Sequence, residues 1–529
     1  MKALRLLFAA LAFAGAASCG PESNNNVPQG KRALVLEASI GGKKAVSGSI
    51  SDVPAGECRI VVEFSSEVTP DAASMVWVKF TGGELGVERG EDECHLVFTP
   101  LTSLRSFEKY TFRIYSGDVF GVNLIEDYTL EISTGYDTSD KFPRIADDDL
   151  LTLVQKQTFK YFWDYAHPVS GLARERLGSG ETVTTGGSGF GIMCLPVAVS
   201  RGFITREQAA ERMRTIVTFL AEKADRFHGA YSHWLNGTTG KVIPFSSKDN
   251  GGDLVETAFL MQGLLTARAF FDKASEADIR SAIDAIWQGV EWDWYLNGKD
   301  VLYWHWSPSD GWAMNMPIRG WNEALMCYVL GASSPTHPIP ASAYINGWAR
   351  GGSMKPSVNG PLFFAHYSFL GLDPRGLSDA CCDDYFAHNT AHAMYNYNYC
   401  VKNSGHHAGY SADSWGLTAS DIPNGYTASA PTNDVGVIAP TAALASFPYV
   451  PEQAMAALHT FYYIYGDKLW GEYGFKDAFC LDKGWFASSY IAIDQGPIVV
   501  MIENYRSQLC WNLFMTNSDV QSGLKKLGF

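Results

Sequence analysis

The spacing of apolar and polar residues changes once along the chain, close to Tyr136. Before that point, short runs alternate apolar and polar residues, and turn residues separate them at roughly even spacing. A period of two residues is typical of strands with one buried face. We therefore predict an antiparallel β-sandwich at residues 32–136. Its clearest predicted strands are Arg59–Phe64, Met75–Phe80, Tyr110–Tyr115 and Tyr128–Ser133.

The last part of this region resembles bacterial immunoglobulin-like domains. From Ser106 to Thr134, a strand, a turn that contains glycine and a second strand end in Ser-Thr-Gly. The resemblance implies a spacer or a packing partner, with glycan binding as the alternative role.

After Gly135 the apolar residues recur with the period of helices. The clearest example is Asp147–Tyr165, with apolar residues at Leu150, Leu151, Val154, Phe159, Phe162 and Trp163. Further helices are predicted at Arg206–Ala224, Val255–Asp272, Glu276–Trp292, Asn322–Leu330, Tyr385–Cys400 and Pro451–Tyr465. The loops between them are rich in Gly, Pro, Trp and Asn and exceed the usual connections of bundles. We therefore predict a mainly α fold, an (α/α)6 toroid over residues 137–529, since a compact helical bundle would have shorter loops.

The N-terminal residues have the pattern of an export signal. Lys2 and Arg5 precede an apolar run, Leu6–Ala17, which is too short to span a bilayer as a helix. Small residues directly before Cys19 predict a lipoprotein signal at residues 1–18, with Cys19 as the lipidated residue and residues 19–31 as a tether. Ala16 stands where leucine is usual, and plain secretion is the alternative. The expected location is the outer membrane, with the protein facing the periplasm or the cell surface.

The charge of the chain excludes several classes of ligand. The net charge is −15 and no basic run is present, which argues against nucleic acid. Aromatic residues make up 13% of the chain, as expected of a surface that stacks on sugars, although a large core also raises this share.

The ten cysteines form no C-x-x-C pair and H-E-x-x-H is missing, so neither metal nor cofactor is expected. Cys58 and Cys94 can form a bridge in an oxidising compartment.

Candidate chemistry lies where loops of small residues lead into apolar helices. Four such segments are Thr184–Gly191, Asn250–Thr257, Arg319–Ala324 and Pro431–Gly436. Three of them carry a carboxylate in or beside the predicted first turn, namely Glu256 with Asp253, Glu323, and Asp434. In a toroid these helix starts meet at one mouth. The alternative is helix capping, which is the favoured interpretation of Asp253.

Two aromatic loops add features of a sugar site. They are Ser232–Gly237, with His233 and Trp234, and Tyr303–Trp312, with Trp304, Trp306 and Trp312. Tryptophan rings offer apolar faces to a pyranose, while polar side chains bind its hydroxyl groups. For any single tryptophan, packing in the core is the alternative. The predicted substrate-binding set is Trp163, Arg174, Phe190, His233, Trp234, Asp253, Trp304, Trp306, Trp312, Arg319, Trp321 and Asn322.

The order of these motifs resembles the glycoamylase-like domain of glycoside hydrolase family 144. The matching segments are Phe162–Asp164, Ser170–Arg174, Thr185–Gly191, Gly252–Thr257, Gly320–Ala324 and Ser334–Pro338, and the resemblance runs from about Asp147 to the C-terminus. It implies an (α/α)6 barrel and inverting hydrolysis of β-1,2-glucan, either within the chain or by release of sophorose from an end.

An inverting glycosidase needs a carboxylic acid and a carboxylate base. We predict Glu256 as the acid. A helix start and a capping hydrogen bond lower a carboxyl pKa, so this role requires burial beside Trp234 or Trp321, and without such burial Glu256 suits the base role better. The predicted partners, in order, are Asp434, Glu323 and Asp164. The alternative role for Asp164 is a salt bridge with Arg174 or Arg176.

Two other classes of function remain open at this point. One is a non-catalytic glycan-binding lipoprotein, and the other is a polysaccharide lyase or sugar epimerase on a similar toroid. The expected partners are a neutral glucan or oligosaccharide and, through the lipid alone, a membrane. A monomer is favoured.

Overall fold

A computed structural model of the protein describes residues 31–135, 137–348 and 356–529. These residues divide after Asp137 into two compact units. Cys19, the predicted signal and the predicted tether up to residue 30 lie outside the described residues, whereas residue 31 begins the first strand. Within the described part of the chain, no helix is long and apolar enough to cross a membrane.

The N-terminal unit is a sandwich of β-sheets. Its strands are β1 (Lys31–Ala33), β2 (Val35–Ile40), β3 (Lys43–Lys44), β4 (Ser49–Val53), β5 (Ile60–Phe64), β6 (Val78–Phe80), β7 (Leu85–Arg89), β8 (His95–Pro100), β9 (Lys109–Ile114), β10 (Gly117–Val119), β11 (Val122–Leu124) and β12 (Tyr128–Thr134). They form sheets of order β3-β2-β5-β8-β7, β4-β12-β9-β6 and β1-β11-β10. Phe98 of β8 packs on Phe112 of β9 at 5.0 Å between ring centroids, so the two larger sheets share one core.

Two details of the strands in this unit differ from the prediction. The sandwich is not purely antiparallel, because β12 pairs with β4 and β11 with β1 in parallel. The predicted strand Met75–Phe80 is strand only from Val78, because the Asp71 side chain accepts a hydrogen bond from the N–H of Ala73 and caps a 3-10 helix, Ala72–Trp77.

The suggested bridge between Cys58 and Cys94 is not formed, and all cysteines in the described residues are free thiols. Cys58 lies just before β5, whereas the carbonyl group of Cys94 accepts from Phe64 at the far end of that strand. Six extended residues separate these positions by about 20 Å. A disulfide requires Cα atoms within about 7 Å.

The C-terminal unit is an α/α toroid. Its helices are α1 (Asp147–Trp163), α2 (Thr185–Ser200), α3 (Arg206–Glu222), α4 (Leu254–Phe270), α5 (Ala277–Gln288), α6 (Leu325–Ser333), α7 (Ala341–Trp348), α8 (Tyr385–Lys402), α9 (Pro440–Leu444), α10 (Pro451–His459), α11 (Gly466–Leu469), α12 (Ala492–Arg506), α13 (Leu509–Met515) and α14 (Ser518–Leu527). Inner helices such as α2, α4, α6 and α12 are buried along almost their whole length. Outer helices such as α3, α5 and α14 bury one face only.

Short strands lie in the segments between the helices, where they form one three-stranded sheet and five strand pairs. They are β13 (Thr182–Thr184), β14 (Arg226–Phe227), β15 (Ala230–Tyr231), β16 (Trp234–Asn236), β17 (Val242–Ile243), β18 (Gly252–Asp253), β19 (His305–Trp306), β20 (Ala419–Ile422), β21 (Gly425–Ala428), β22 (Trp470–Gly471), β23 (Gly474–Phe475), β24 (Phe479–Cys480) and β25 (Trp485–Phe486). Strand β13 leads directly into α2 and β18 into α4. The first turns of these inner helices are therefore fixed by strand hydrogen bonds.

Glycines allow the two central helices to touch through their main chains. A Cβ atom on Gly189 of α2 would lie 2.2 Å from the carbonyl oxygen of Phe259, and one on Gly263 of α4 would lie 2.1 Å from that of Gly189. Real side chains do not approach so closely. The close contact of α2 with α4 brings the starts of both helices to one place, and the candidate site lies there.

Most predicted helices are confirmed within a few residues, with three exceptions. The helix predicted at Pro451–Tyr465 ends as an α-helix at His459, and Thr460–Ile464 continues it as a π-helical turn. The helix predicted from Asn322 begins at Leu325, because the Asn322 side chain accepts from the N–H of Ala324 and holds a turn. No helix begins at Pro431–Gly436, and the next helix along the described chain is α9.

Candidate active site

A cavity of about 460 Å³ opens between the N-terminal ends of α2, α4 and α12. Its polar and aromatic lining consists of Glu175, Arg176, Thr184, His233, Trp234, Phe245, Glu256, Phe259, Trp304, Glu323, Phe363, Tyr367 and Tyr426. Grooves of about 550 and 590 Å³ on the N-terminal unit contain no phenylalanine, tyrosine or tryptophan. Of these three cavities, only the one in the toroid combines carboxyl groups with large aromatic rings.

Glu256 lies in the first turn of α4 and is only 7% exposed. Its Oε2 accepts a hydrogen bond from the main-chain N–H of Gly186 at 2.7 Å and from the Thr184 hydroxyl at 3.4 Å. Burial raises the pKa of Glu256; His233 opposes this shift and the charge of Asp253 reinforces it. Desolvation thus outweighs the anion-stabilising effect of the helix start, and Glu256 has the property that a general acid needs.

Asp253 connects the start of α4 to the floor of the cavity. Its Oδ1 accepts from the N–H groups of Val255 and Glu256, both at 2.9 Å, which confirms that it caps the helix. Its Oδ2 accepts from Nδ1 of His233 at 3.1 Å and from Nε1 of Trp304 at 3.2 Å. Asp253 therefore orients two cavity residues from beneath.

His233 is the cationic neighbour of Glu256, with its Nε2 atom 3.9 Å from Oε1. Burial alone lowers the pKa of His233, but the carboxylates of Glu256 and Asp253 outweigh it and raise this pKa to about 9. The imidazole stacks on Phe245 at 4.2 Å between ring centroids. The ring is thus fixed in place and charged at neutral pH.

Glu323 lines the same cavity, just before α6. Burial raises its pKa to about 7. The main-chain carbonyl group of Glu323 accepts from the Ser368 hydroxyl at 2.6 Å, whereas no other described residue donates to its carboxylate. Asp249, which sequence reasoning missed, is also buried, and its pKa is raised to about 7 by burial and by the charge of Asp253.

The opposite wall contains a chain of ion pairs that the sequence did not reveal. Nε of Arg176 donates to Glu175 at 2.8 Å, and its Nη1 donates to Asp421 of β20 at 2.9 Å. Ser489 donates its hydroxyl to Oδ2 of the same aspartate at 2.5 Å. Arg176 and Asp421 are 245 residues apart, so no local motif joins them.

A metal ion is geometrically conceivable at His233, Asp249 and Asp253, whose ligand atoms lie within 4.8 Å of one another. However, the side chain of Asp253 already accepts four hydrogen bonds from protein donors. The donor set fits a hydrogen-bonded network better than a cation site.

The structure does not bring Asp434 to Glu256, which corrects the first choice of catalytic partner. Asp434 accepts from the hydroxyl groups of Tyr399 at 3.0 Å and Tyr410 at 2.6 Å and from the N–H of Gly436 at 2.9 Å. His407 Nε2 lies 3.3 Å from Oδ2 of Asp434, the oxygen that also accepts from Tyr399. This carboxylate holds loops together away from the described lining of the cavity.

Asp164, another predicted catalytic partner, does not line the cavity either. It lies exposed at the C-terminal end of α1, and neither suggested arginine pairs with it. Arg174 donates instead to the carbonyl groups of Tyr165 and Gly180, which makes it a structural residue rather than a substrate ligand. The short separation in sequence suggested a salt bridge between Asp164 and Arg174 or Arg176. Arg174 forms hydrogen bonds with main-chain carbonyl groups instead.

Of the predicted binding residues, His233, Trp234 and Trp304 line the cavity, and Asp253 supports it. The others among the described residues do not line it. Trp163 lies beneath the Arg212 guanidinium, Phe190 is fully buried against Phe259, Trp306 packs on His228, and Trp312 on Tyr295. Arg319, Trp321 and Asn322 form the approach to α6, where Trp321 stacks on Tyr385. These rings are mainly packing residues, the alternative stated above.

An α/α toroid whose ring-lined cavity contains two carboxyl groups of raised pKa, Glu256 and Glu323, has the architecture of a glycoside hydrolase. A family model described as "Putative glucoamylase" matches residues 315–518. The chain is 46% identical over 441 residues to an exo β-1,2-glucooligosaccharide sophorohydrolase (non-reducing end) of Parabacteroides distasonis. This match covers 76% of the chain and 61% of the relative, so the chain spans less than two thirds of that protein.

Solved structures agree. The chain is 52% identical to an endo-β-1,2-glucanase from Chitinophaga pinensis, whose structure contains sophorotriose and glucose, with a TM-score of 0.71, over 73% of this chain and 99% of that one. It is 37% identical to a β-1,2-glucanase from Parabacteroides distasonis, with a TM-score of 0.71, over 95% of this chain and 73% of that one. The chain therefore belongs to the glycoamylase-like family, of the glycoside hydrolase 144 type. The predicted toroid fold is confirmed.

Proposed function

We propose that the protein hydrolyses β-1,2-glucan or its oligosaccharides with inversion at the anomeric carbon. The observation that carries this proposal is the buried carboxyl group of Glu256, whose pKa is raised in a cavity lined by large rings. The linkage and the choice of glucan rest on similarity, because relatives of high identity are named for β-1,2-linked substrates.

In this proposal, Glu256 acts as the general acid. Its proton passes to the glycosidic oxygen as the bond to the anomeric carbon breaks, and a water molecule attacks from the opposite face. The charged His233 then stabilises the carboxylate that remains. The Gly186 N–H keeps the carboxyl group in place during both states.

Glu323 is the proposed base. It lines the same cavity, its pKa of about 7 suits proton transfer near neutral pH, and among the described residues only its own main-chain N–H donates to its carboxylate. Glu175 is the alternative, but Arg176 already occupies its carboxylate at 2.8 Å. Glu175, Arg176 and Asp421 are better suited to bind sugar hydroxyl groups.

The experiment that tests this function compares linear β-1,2-glucan with β-1,3-glucan, β-1,4-glucan and uronate polymers. We expect reducing ends from β-1,2-glucan alone, without the absorbance of unsaturated lyase products. Release of unsaturated uronates would assign the lyase function instead. Binding of β-1,2-glucan without any cleavage would assign the non-catalytic alternative.

We also propose that Cys19 carries lipid and that the protein is tethered to the outer membrane. The short apolar run Leu6–Ala17 followed by small residues and Cys19 supports this proposal. Metabolic labelling with a radioactive fatty acid tests it. Label on the wild-type chain and none on Cys19→Ala is expected, and an unlabelled wild-type chain contradicts it.

A further inference from the structure

A group of aromatic rings lies at the surface of the toroid and outside the lining of the cavity. Its most exposed member is Trp294, which begins a short 3-10 helix, Trp294–Leu296, after α5. Trp294 is 40% exposed, and neither it nor its neighbours Trp306 and Trp312 line the cavity. Single exposed apolar residues are common, whereas contiguous ones mark interaction sites. The ring group therefore calls for a ligand.

One face of Trp294 is covered by an imidazole ring that is itself fixed. His228, in the turn between β14 and β15, stacks on Trp294 with 3.6 Å between ring centroids and 14° between the planes. Oε2 of Glu291 lies 2.8 Å from Nδ1 of His228, and the N–H of Glu291 donates to the His228 carbonyl group at 3.1 Å. The exposed part of Trp294 thus lies on its other face and its edges, and its orientation is set before any ligand binds.

Two further tryptophans support this stack. Trp306 meets Trp294 at 5.9 Å between ring centroids with the planes at 90°, and it meets His228 at 4.8 Å. Trp312 lies 6.5 Å from Trp294 and is tilted by 30°. Both supporting rings are partly buried. They are packing residues, and Trp294 is the ring that offers a face to a ligand.

Polar groups lie beside this ring, as sugar binding requires. The side chains of Glu291, Asp293 and His337 are 38%, 52% and 39% exposed. Nδ1 of His337 lies 3.2 Å from Oδ1 of Asp293, which also accepts from the N–H of Trp294. Carboxylate and imidazole groups bind hydroxyl groups, and two carboxylates beside the ring disfavour a polyanion. The surface therefore fits a neutral sugar chain.

A short extended segment joins this surface to the cavity. Trp304 lines the cavity, and Trp306 of β19, two residues further on, contacts Trp294. Both are partly exposed, whereas His305 between them is buried, as expected for alternating side chains in a strand. Two extended residues advance by about 7 Å. A glucan chain that leaves the cavity past Trp304 is thus a few sugar residues away from Trp294.

We propose that Trp294, with its supporting rings, forms a second glycan-binding surface that binds a part of a long β-1,2-glucan distant from the bond to be cleaved. The identity of the glycan rests on the proposed function. Two contacts on one chain raise the affinity for long chains beyond that of the cavity alone. Because Trp294 does not touch the reacting atoms, its contribution appears in KM for long chains and not in kcat.

Affinity electrophoresis through gels that contain linear β-1,2-glucan measures this binding without cleavage, with Glu256→Gln present in every protein so that the glucan stays intact. We expect Trp294→Ala to weaken the affinity by roughly fivefold to tenfold and Trp294→Tyr, which keeps a ring, to stay within about threefold of the parent. Trp77→Ala is the matched control, since Trp77 of the N-terminal unit is 43% exposed, and it should bind like the parent. Trp294→Leu, which fills more of the space over His228, replaces Trp294→Ala should that variant not fold.

The binding result is independent of hydrolysis. Weaker retardation of Trp294→Ala than of Trp77→Ala supports the surface even if the wild type cleaves no glucan, in which case the proposed function alone fails. Equal retardation of these two variants overturns the inference and leaves the rings to packing or to another kind of partner. A parent protein that the glucan does not retard overturns it as well.

Kinetics in the otherwise wild-type chain distinguish a separate surface from a part of the cavity. We expect Trp294→Ala to raise KM for long β-1,2-glucan by roughly fivefold to tenfold, with kcat and the KM for short β-1,2-glucooligosaccharides unchanged. An equal rise in KM for short and long substrates would assign Trp294 to the cavity and overturn the second surface.

Discussion

Oε2 of Glu256 lies 2.7 Å from the main-chain nitrogen of Gly186, so the first turn of α2 holds the candidate acid of α4. Two inner helices thus meet at one carboxyl group. The contact depends on the absence of a side chain, because a Cβ atom on Gly186 would lie 2.7 Å from the same oxygen.

Gly186→Ala should therefore displace the carboxyl group of Glu256 without removing it. Because a shift of about 1 Å can cost about 10²-fold in rate, we expect kcat to fall by about that factor with little change in KM. Gly405→Ala is the matched control, since its Cβ would meet nothing within 4 Å. Equal kcat values in the two variants would show that the Gly186 contact is not needed for catalysis.

His233 should make the stability of the protein depend on pH. Its folded pKa of about 9 lies above the ordinary value of 6.5, so its contribution is complete below 6.5 and is lost as pH rises toward 9. We expect His233→Gln to show a smaller fall in Tm across this window than wild type, measured by differential scanning calorimetry. The exposed His406→Gln is the control, and a His233→Gln curve parallel to wild type contradicts the charged imidazole.

Asp434 should prove structural rather than catalytic. Asp434→Asn weakens hydrogen bonds from Tyr399, Tyr410 and Gly436, and we expect a loss of about 1–3 kcal/mol in the free energy of unfolding. Urea denaturation measures this loss. At a temperature where the variant is folded, kcat should stay near wild type, and a hundredfold drop in kcat would restore Asp434 as a catalytic candidate.

Substitutions of the two candidate bases should have different effects on kcat and KM. Glu323→Gln is expected to lower kcat by about 10²–10⁴-fold with little change in KM, as for loss of a general base. Glu175→Gln is expected mainly to raise KM, because it loosens Arg176. Initial rates over a range of glucan concentrations distinguish them, and the reverse pattern would assign the base role to Glu175.

The sequence predicted those parts of the site that depend on local spacing. Asp253 and Glu256 stand in one helix start, so capping and the candidate acid could both be inferred from a few residues. The same logic failed at Asp434, because Thr-Asn-Asp-Val-Gly resembles a helix start although α9 begins only at Pro440.

Long-range contacts account for what the sequence could not predict. Arg176 meets Asp421 only through the closure of the toroid. Similarly, the sign of the pKa shift of Glu256 depends on burial, which a helix-start motif does not encode. Each aromatic loop contributes a ring to the cavity, but only the fold distinguishes Trp304, which lines the cavity, from Trp306, which packs on His228.

The most direct test of the central claim is proton NMR of linear β-1,2-glucan during the first minutes of hydrolysis. Inversion of a β-linkage predicts that the new reducing ends appear first as the α-anomer with wild type. No product should form with Glu256→Gln, although its circular dichroism and Tm should match those of the exposed control Glu211→Gln. First appearance of the β-anomer, or near-normal turnover by Glu256→Gln, would contradict the account.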